Sequence, residues 1–162
     1  MARGPRQAMA ALQRLAALGQ PDRMAFPALV SLLRELAPFE TSAMLWLDAG
    51  HRPVDTYTDI DASPHHVARY AERWFDREEA RFYPTQTEMQ LSPAHHVIRV
   101  SDFTPRFGEC ELYDEVYRPA GHHWIAGVAL RDGERPIGNL GIGRPPRAPD
   151  FSDEEMRRLR LA

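Results

Sequence analysis

Along the first third of the chain, apolar positions recur at steps of three and four, and then at steps of two. Ala8, Leu12 and Leu15 form one stripe with Ala11 and Leu18 beside it, which predicts an amphipathic helix over 7–18. Gly19 ends it, and Gln20-Pro21-Asp22 is a turn. Phe26, Leu29, Val30, Leu33 and Leu36 predict a second helix, closed by Pro38. From Thr41, Ala43, Leu45 and Leu47 alternate with Met44, Trp46 and Asp48, the signature of a strand. Asp48-Ala49-Gly50 then turns the chain into a partner strand over 53–58.

Ser63-Pro64 starts a helix, with serine as cap and proline in the first turn, and Val67, Tyr70, Ala71, Trp74 and Phe75 line one face of it. The charged run DREEAR ends that helix, and FYPTQTEMQLSPAHH is expected to be an irregular loop. VIRV at 97–100 is a short strand, 107–117 a helix broken by Arg118-Pro119-Ala120-Gly121, and 122–130 a strand. An Asp132-Gly133 hairpin turn leads to a return strand over 136–143. Ser152 and Glu155 have the spacing of a capping box, flanked by Phe151 and Met156 as a hydrophobic staple, so a last helix runs to Ala162. Hairpins mixed with segregated helices predict an α+β domain on an antiparallel sheet of about five strands.

Composition narrows the class. A chain of 162 residues is about one domain long and can bury a core without staples. Its 20 basic and 23 acidic residues leave a net charge of −3, which gives no global attraction for nucleic acid. Every basic residue but histidine is arginine, a compositional bias from which no function follows. One cysteine, Cys110, supports neither an internal disulfide nor a thiolate cluster and suits a reducing compartment. The apolar runs are too short to span a bilayer, and the N-terminus lacks the pattern of a secretion signal, so the expected location is cytoplasmic with no membrane contact.

Candidate chemistry is sparse. His65-His66, His95-His96 and His122-His123 are adjacent pairs, and neighbours on a helix or strand diverge, so a metal site is not expected. GNLGIGR has the wrong glycine spacing for a phosphate loop and lies in a strand pattern, where Gly141 and Gly143 share a face with Asn139. Those glycines let a helix or a ligand approach the sheet, and helix packing is the favoured use. Cys110 lies on the apolar side of its helix without an evident base, and neither an enzyme nor a cofactor is expected.

The aromatic residues remain. Trp46, Tyr57, Tyr70, Trp74, Phe82, Tyr83 and Trp124 could converge between sheet and helices around a small-molecule pocket, or form ordinary core. Trp46, Tyr57, Tyr70 and Trp74 are the expected stacking residues, and Asn139 the polar group that orients a ligand. The helix and turn over 1–22 read as a candidate homodimer seam, 23–151 as the main domain, and 152–162 as the start of a longer helix.

The run from Tyr113 to the C-terminus carries a resemblance. Tyr113, Tyr117, Arg118-Pro119, Gly121, Leu130, Asp132-Gly133, Leu140, Gly143-Arg144, Phe151-Ser152 and Leu159 resemble the second half of the GAF-like sensory domains that precede LuxR-type helix-turn-helix modules in bacterial transcriptional regulators. Before that run the likeness is architectural. The resemblance implies a GAF/PAS-like domain that binds a small-molecule effector and dimerises, with DNA contacted through a helix-turn-helix segment outside this sequence. The segment over 70–89 is similar to that of related acyl-homoserine-lactone receptors in its Tyr70 and Trp74, but Tyr83-Pro84 stands here in place of their ligand-binding aspartate, which argues against a lactone signal. The alternative is a GAF-like interaction domain whose interior is filled by its own side chains.

Overall fold

Alternation at 41–47 does build a strand, and its two faces have different fates. A computed structural model describes residues 4–17, 22–59 and 64–162. The elements are α1 (Pro5–Ala17), α2 (Asp22–Leu36), β1 (Thr41–Leu47), β2 (Pro53–Thr58), α3 (Pro64–Arg69), α4 (Gln86–Leu91), β3 (Val97–Arg99), α5 (Val100–Phe103), β4 (Trp124–Asp132), β5 (Arg135–Arg144) and α6 (Asp153–Arg160). The chain forms two compact units, Met1–Phe39 with Ser152–Ala162, and Glu40–Phe151.

In the first unit, α1 packs on α2 and α2 on α6. The helical stripes are buried: Ala8 and Leu12 on α1, Phe26, Val30, Leu33 and Leu36 on α2, Met156 and Leu159 on α6. Ser152 and Glu155 make the expected capping box, each bonding the other's backbone amide. Gly19 and the turn after it, and the Ser63 cap, lie outside the described residues.

The second unit carries an antiparallel five-stranded sheet in the order β2-β1-β5-β4-β3. Pairing of Ala43 with Gly141 and Thr58, Leu45 with Asn139 and Thr56, and Gly127 with Gly141 and Ile98 places those residues on one face. Met44, Trp46, Tyr57, Val128, Leu140 and Ile142 have the opposite parity. Leu140 and Ile142 are fully buried, a contribution of about 1.5–3 kcal/mol each.

Several boundaries differ from expectation. Asp132 pairs with Arg135, so the two-residue loop is Gly133-Glu134, with Gly133 at φ +57°. β4 begins at Trp124, two residues later than expected, because the His122 amide still bonds the Tyr117 carbonyl of the preceding turn. Val100 starts α5 instead of ending β3. The helix expected over 107–117 is broken: Phe107–Glu109 is a 3₁₀ turn, and Tyr113–Tyr117 a π-helical turn in which the Arg118 amide reaches back to Tyr113. A second π-turn, Tyr70–Trp74, continues α3, and the Phe75 amide bonds the Tyr70 carbonyl.

The largest correction falls on FYPTQTEMQLSPAHH, which holds a helix, α4. Thr85 caps it and Glu88 returns the bond, a second capping box. Among the described residues, no helix is long and apolar enough to cross a membrane.

Candidate functional site

Between the glycine-bearing face of the sheet and the segments that cross it lies a cavity of about 170 Å³, lined mainly by apolar groups. Ala43, Leu45, Gly127 and Gly141 line it from the sheet, and Met89, Ile98, Val100, Ile125, Val67, Val116 and Ala120 add to its apolar lining. Small residues in the strands are what leave the space open. Among the described residues, a β-carbon on Gly141 would meet only the Ala43 carbonyl oxygen, at 3.8 Å, so none of them fills the volume above it. A volume of this order accepts a molecule about the size of benzene.

Tyr70, Tyr83, Tyr117, Gln86 and Asn139 of the wall belong to one connected chain of hydrogen bonds. Glu79, within the charged run DREEAR, is fully buried. Its carboxylate accepts four hydrogen bonds: from the Tyr70 hydroxyl (2.5 Å), the Tyr83 hydroxyl (3.3 Å), the Asp76 amide (2.9 Å) and the Gln86 amide (3.3 Å). Burial pushes the Glu79 carboxyl up, and the bonds from Tyr70 and the two amides oppose that rise. With Tyr83 donating to Glu79, the 2.6 Å contact between Tyr83 and Tyr117 is donated by Tyr117. Burial in turn drives all three phenols upward, so they remain protonated.

The chain continues to the sheet. Gln86 Nε2 donates to the Tyr70 hydroxyl (2.9 Å), and its Oε1 accepts from Asn139 Nδ2 (2.9 Å). Asn139 Nδ2 also bonds the Gln86 carbonyl (2.8 Å), while its Oδ1 accepts from Gln90 Nε2 (2.7 Å). Gln86 and Gln90 stand one turn apart on α4, so this short helix clamps β5 through a fully bonded asparagine.

Of the residues expected to contact a ligand, Tyr70, Tyr57 and Asn139 line the cavity, together with Tyr83. Tyr57 has the parity of the opposite sheet face and is 46% exposed, so its ring is not enclosed. Trp46 shares that parity and is not among the lining residues. Trp74 is buried but turned elsewhere: its indole N–H donates to Glu115 (3.1 Å), and the Arg73 guanidinium lies 4.3 Å over its ring. Trp124 borders a separate, smaller cavity.

Sequence reasoning missed His122. Its side chain is 3% exposed, lines the cavity, and has no hydrogen-bond partner on either ring nitrogen among the described residues. Burial pushes its pKa down to about 4. Gly143 gives it room, so the glycine expected to admit a helix admits this imidazole and the Thr41 side chain. His123 goes elsewhere, its Nδ1 2.9 Å from the Tyr113 hydroxyl. No group of three or more His, Cys, Asp or Glu side chains among the described residues is placed to hold a metal ion.

The sequence profile of the GAF domain matches residues 23–162. No curated protein matches the chain.

Proposed function

Since the chain belongs to the GAF domain family, we propose that it is a sensor whose chamber binds a small effector. The observation that carries this reading is the unfilled space of about 170 Å³ over Gly141, walled by the bonded chain from Tyr117 to Gln90. A domain that served only as an interaction surface would have no use for an open interior, because each unfilled volume forfeits packing energy. Glu79 is held by four donors behind the tyrosines, which supports a part in shaping the wall instead of moving a proton.

The wider setting we propose is a bacterial LuxR-type transcriptional regulator acting as a cytoplasmic homodimer, in which the effector biases how the helices α1 and α6 pair and so positions a helix-turn-helix module. Support comes from the pattern running from Tyr113 through Phe151-Ser152 to Leu159. An effector shifts such an equilibrium only as far as it binds the two arrangements unequally. Thermal unfolding in the presence of small neutral ring compounds tests the chamber: a binder present at about one hundred times its Kd adds about 2.7 kcal/mol. Failure of every such compound to raise the Tm would leave the interaction-domain reading in its place.

A further inference from the structure

Several polar groups on the chamber wall are already engaged within the protein. Tyr83 and Tyr117 bond each other, Tyr70 bonds Glu79 and Gln86, and Asn139 is held by Gln86 and Gln90. His122 differs. Among the described residues neither of its nitrogens meets a hydrogen-bond partner, although it is buried and borders the cavity. A buried polar group left unbonded costs stability, and native proteins seldom tolerate it without a use.

Its position is fixed from three sides. The His122 amide bonds the Tyr117 carbonyl (3.0 Å) and the His123 amide bonds the Arg144 carbonyl (2.9 Å), which pins the backbone between helix and strand. Gly143 clears the space beneath the ring, and Tyr117 meets it edge-on at 6.2 Å between centroids.

The surroundings restrict the ligand's chemistry. Among the described residues no Asp, Glu or Arg side chain lines the cavity, so an ionic ligand would lose its hydration without gaining a counter-charge from them. A neutral imidazole has one N–H donor and one acceptor nitrogen, and a hydroxyl group can engage either. Burial keeps the ring neutral near pH 7, since its pKa is pushed down to about 4. The remaining described lining is mainly apolar, and the space is sized for a single ring.

We propose that His122 selects the effector of this chamber, and that the effector class is an uncharged, ring-sized apolar molecule carrying a hydroxyl group that hydrogen-bonds the imidazole. This rests on the reading of the chamber as a ligand site. Calorimetric titration of phenol, toluene and benzoate into the wild-type protein and into His122→Leu and His122→Gln at pH 7 tests it. Phenol binds the wild type about tenfold more tightly than toluene, and benzoate binds more weakly than toluene. In His122→Leu toluene binding persists and the preference for phenol falls to within about twofold, while His122→Gln, which keeps a donor and an acceptor, retains part of it. Equal binding of toluene and phenol by the wild type, tighter binding of benzoate, or an undiminished phenol preference in His122→Leu would overturn the selection role and leave the chamber as a ligand site. The wild-type comparison decides even where a variant fails to fold. If the wild type bound none of the three, the ligand-site reading would fall, and the role of His122 with it.

Discussion

The imidazole of His122 lies over Gly143, and a β-carbon on that glycine would collide with Nδ1. The pair joins the turn after the Tyr113–Tyr117 segment to β5 through a contact that only a residue without a side chain allows. Gly143→Ala should therefore displace the ring and destabilise the protein by about 1–3 kcal/mol despite the better strand propensity of alanine. Urea denaturation gives the value, and the His122 ring resonances in an NMR spectrum should shift with it.

Gly138 and Gly141, three residues apart on the same strand, should respond in opposite directions to alanine. At Gly138 a β-carbon would strike the Leu45 carbonyl oxygen of the neighbouring strand, which cannot yield without disturbing the ladder. At Gly141 it would meet one carbonyl oxygen at an ordinary 3.8 Å. Gly138→Ala should cost about 2 kcal/mol or more, and Gly141→Ala should gain about 0.5–1 kcal/mol by restricting the unfolded chain. Denaturant midpoints measured in parallel check the contrast.

Tyr70→Phe removes one of the four donors on the buried Glu79 carboxylate and the acceptor for Gln86 Nε2. We expect a loss of about 2 kcal/mol in unfolding free energy, the range for a hydrogen bond to a charged buried group. The Glu79 pKa should rise further, because the bond from Tyr70 favours the ionised form. Carboxyl chemical shifts followed against pH measure that second effect separately from stability.

The pH dependence of stability should carry the mark of His122. Folding depresses its pKa to about 4, whereas an unperturbed histidine titrates near ~6.5. As pH falls, the unfolded chain takes up this proton before the folded one does. The stability this asymmetry supplies is complete above about pH 6.5 and is lost progressively down to about pH 4, amounting to about 3 kcal/mol. Asp59 acts on the ring in the opposite sense but more weakly than burial. Glu79, raised by burial, has the reverse dependence, yet it is common to the wild type and His122→Leu and cancels in their difference. Between pH 7 and pH 4 the wild type should lose about 3 kcal/mol more than His122→Leu in denaturant melts.

The strands were legible in the sequence because alternation and turn chemistry act locally. Ala43, Leu45 and Leu47 against Met44, Trp46 and Asp48 set β1, and the face shared by Asn139, Gly141 and Gly143 follows from the same period. The cap of α6 was equally plain, since serine and glutamate three residues apart are a local device. The same device at Thr85 and Glu88 was present in the sequence, but the prolines and histidines around it read as loop, and α4 went unrecognised. With it went the Gln86–Asn139–Gln90 clamp.

Glu79 left no such local signal. A glutamate within DREEAR looks solvated, and its burial depends on tyrosines and amides that only tertiary folding assembles. Trp46 and Trp74 looked like pocket residues because they are large and aromatic. Their placement is decided instead by strand parity in one case and by Glu115 and Arg73 in the other.

The central claim is that the space above Gly141 is a binding chamber, and filling it from the protein's own side is the most direct test. Scanning calorimetry should compare the wild type with Gly141→Leu, each with and without toluene at about one hundred times the Kd measured for the wild type. The account predicts a Tm rise of about 5–10 °C for the wild type and little or none for Gly141→Leu, whose leucine occupies the cavity. A wild-type Tm that toluene leaves unchanged, or an equal rise in both proteins, would contradict it.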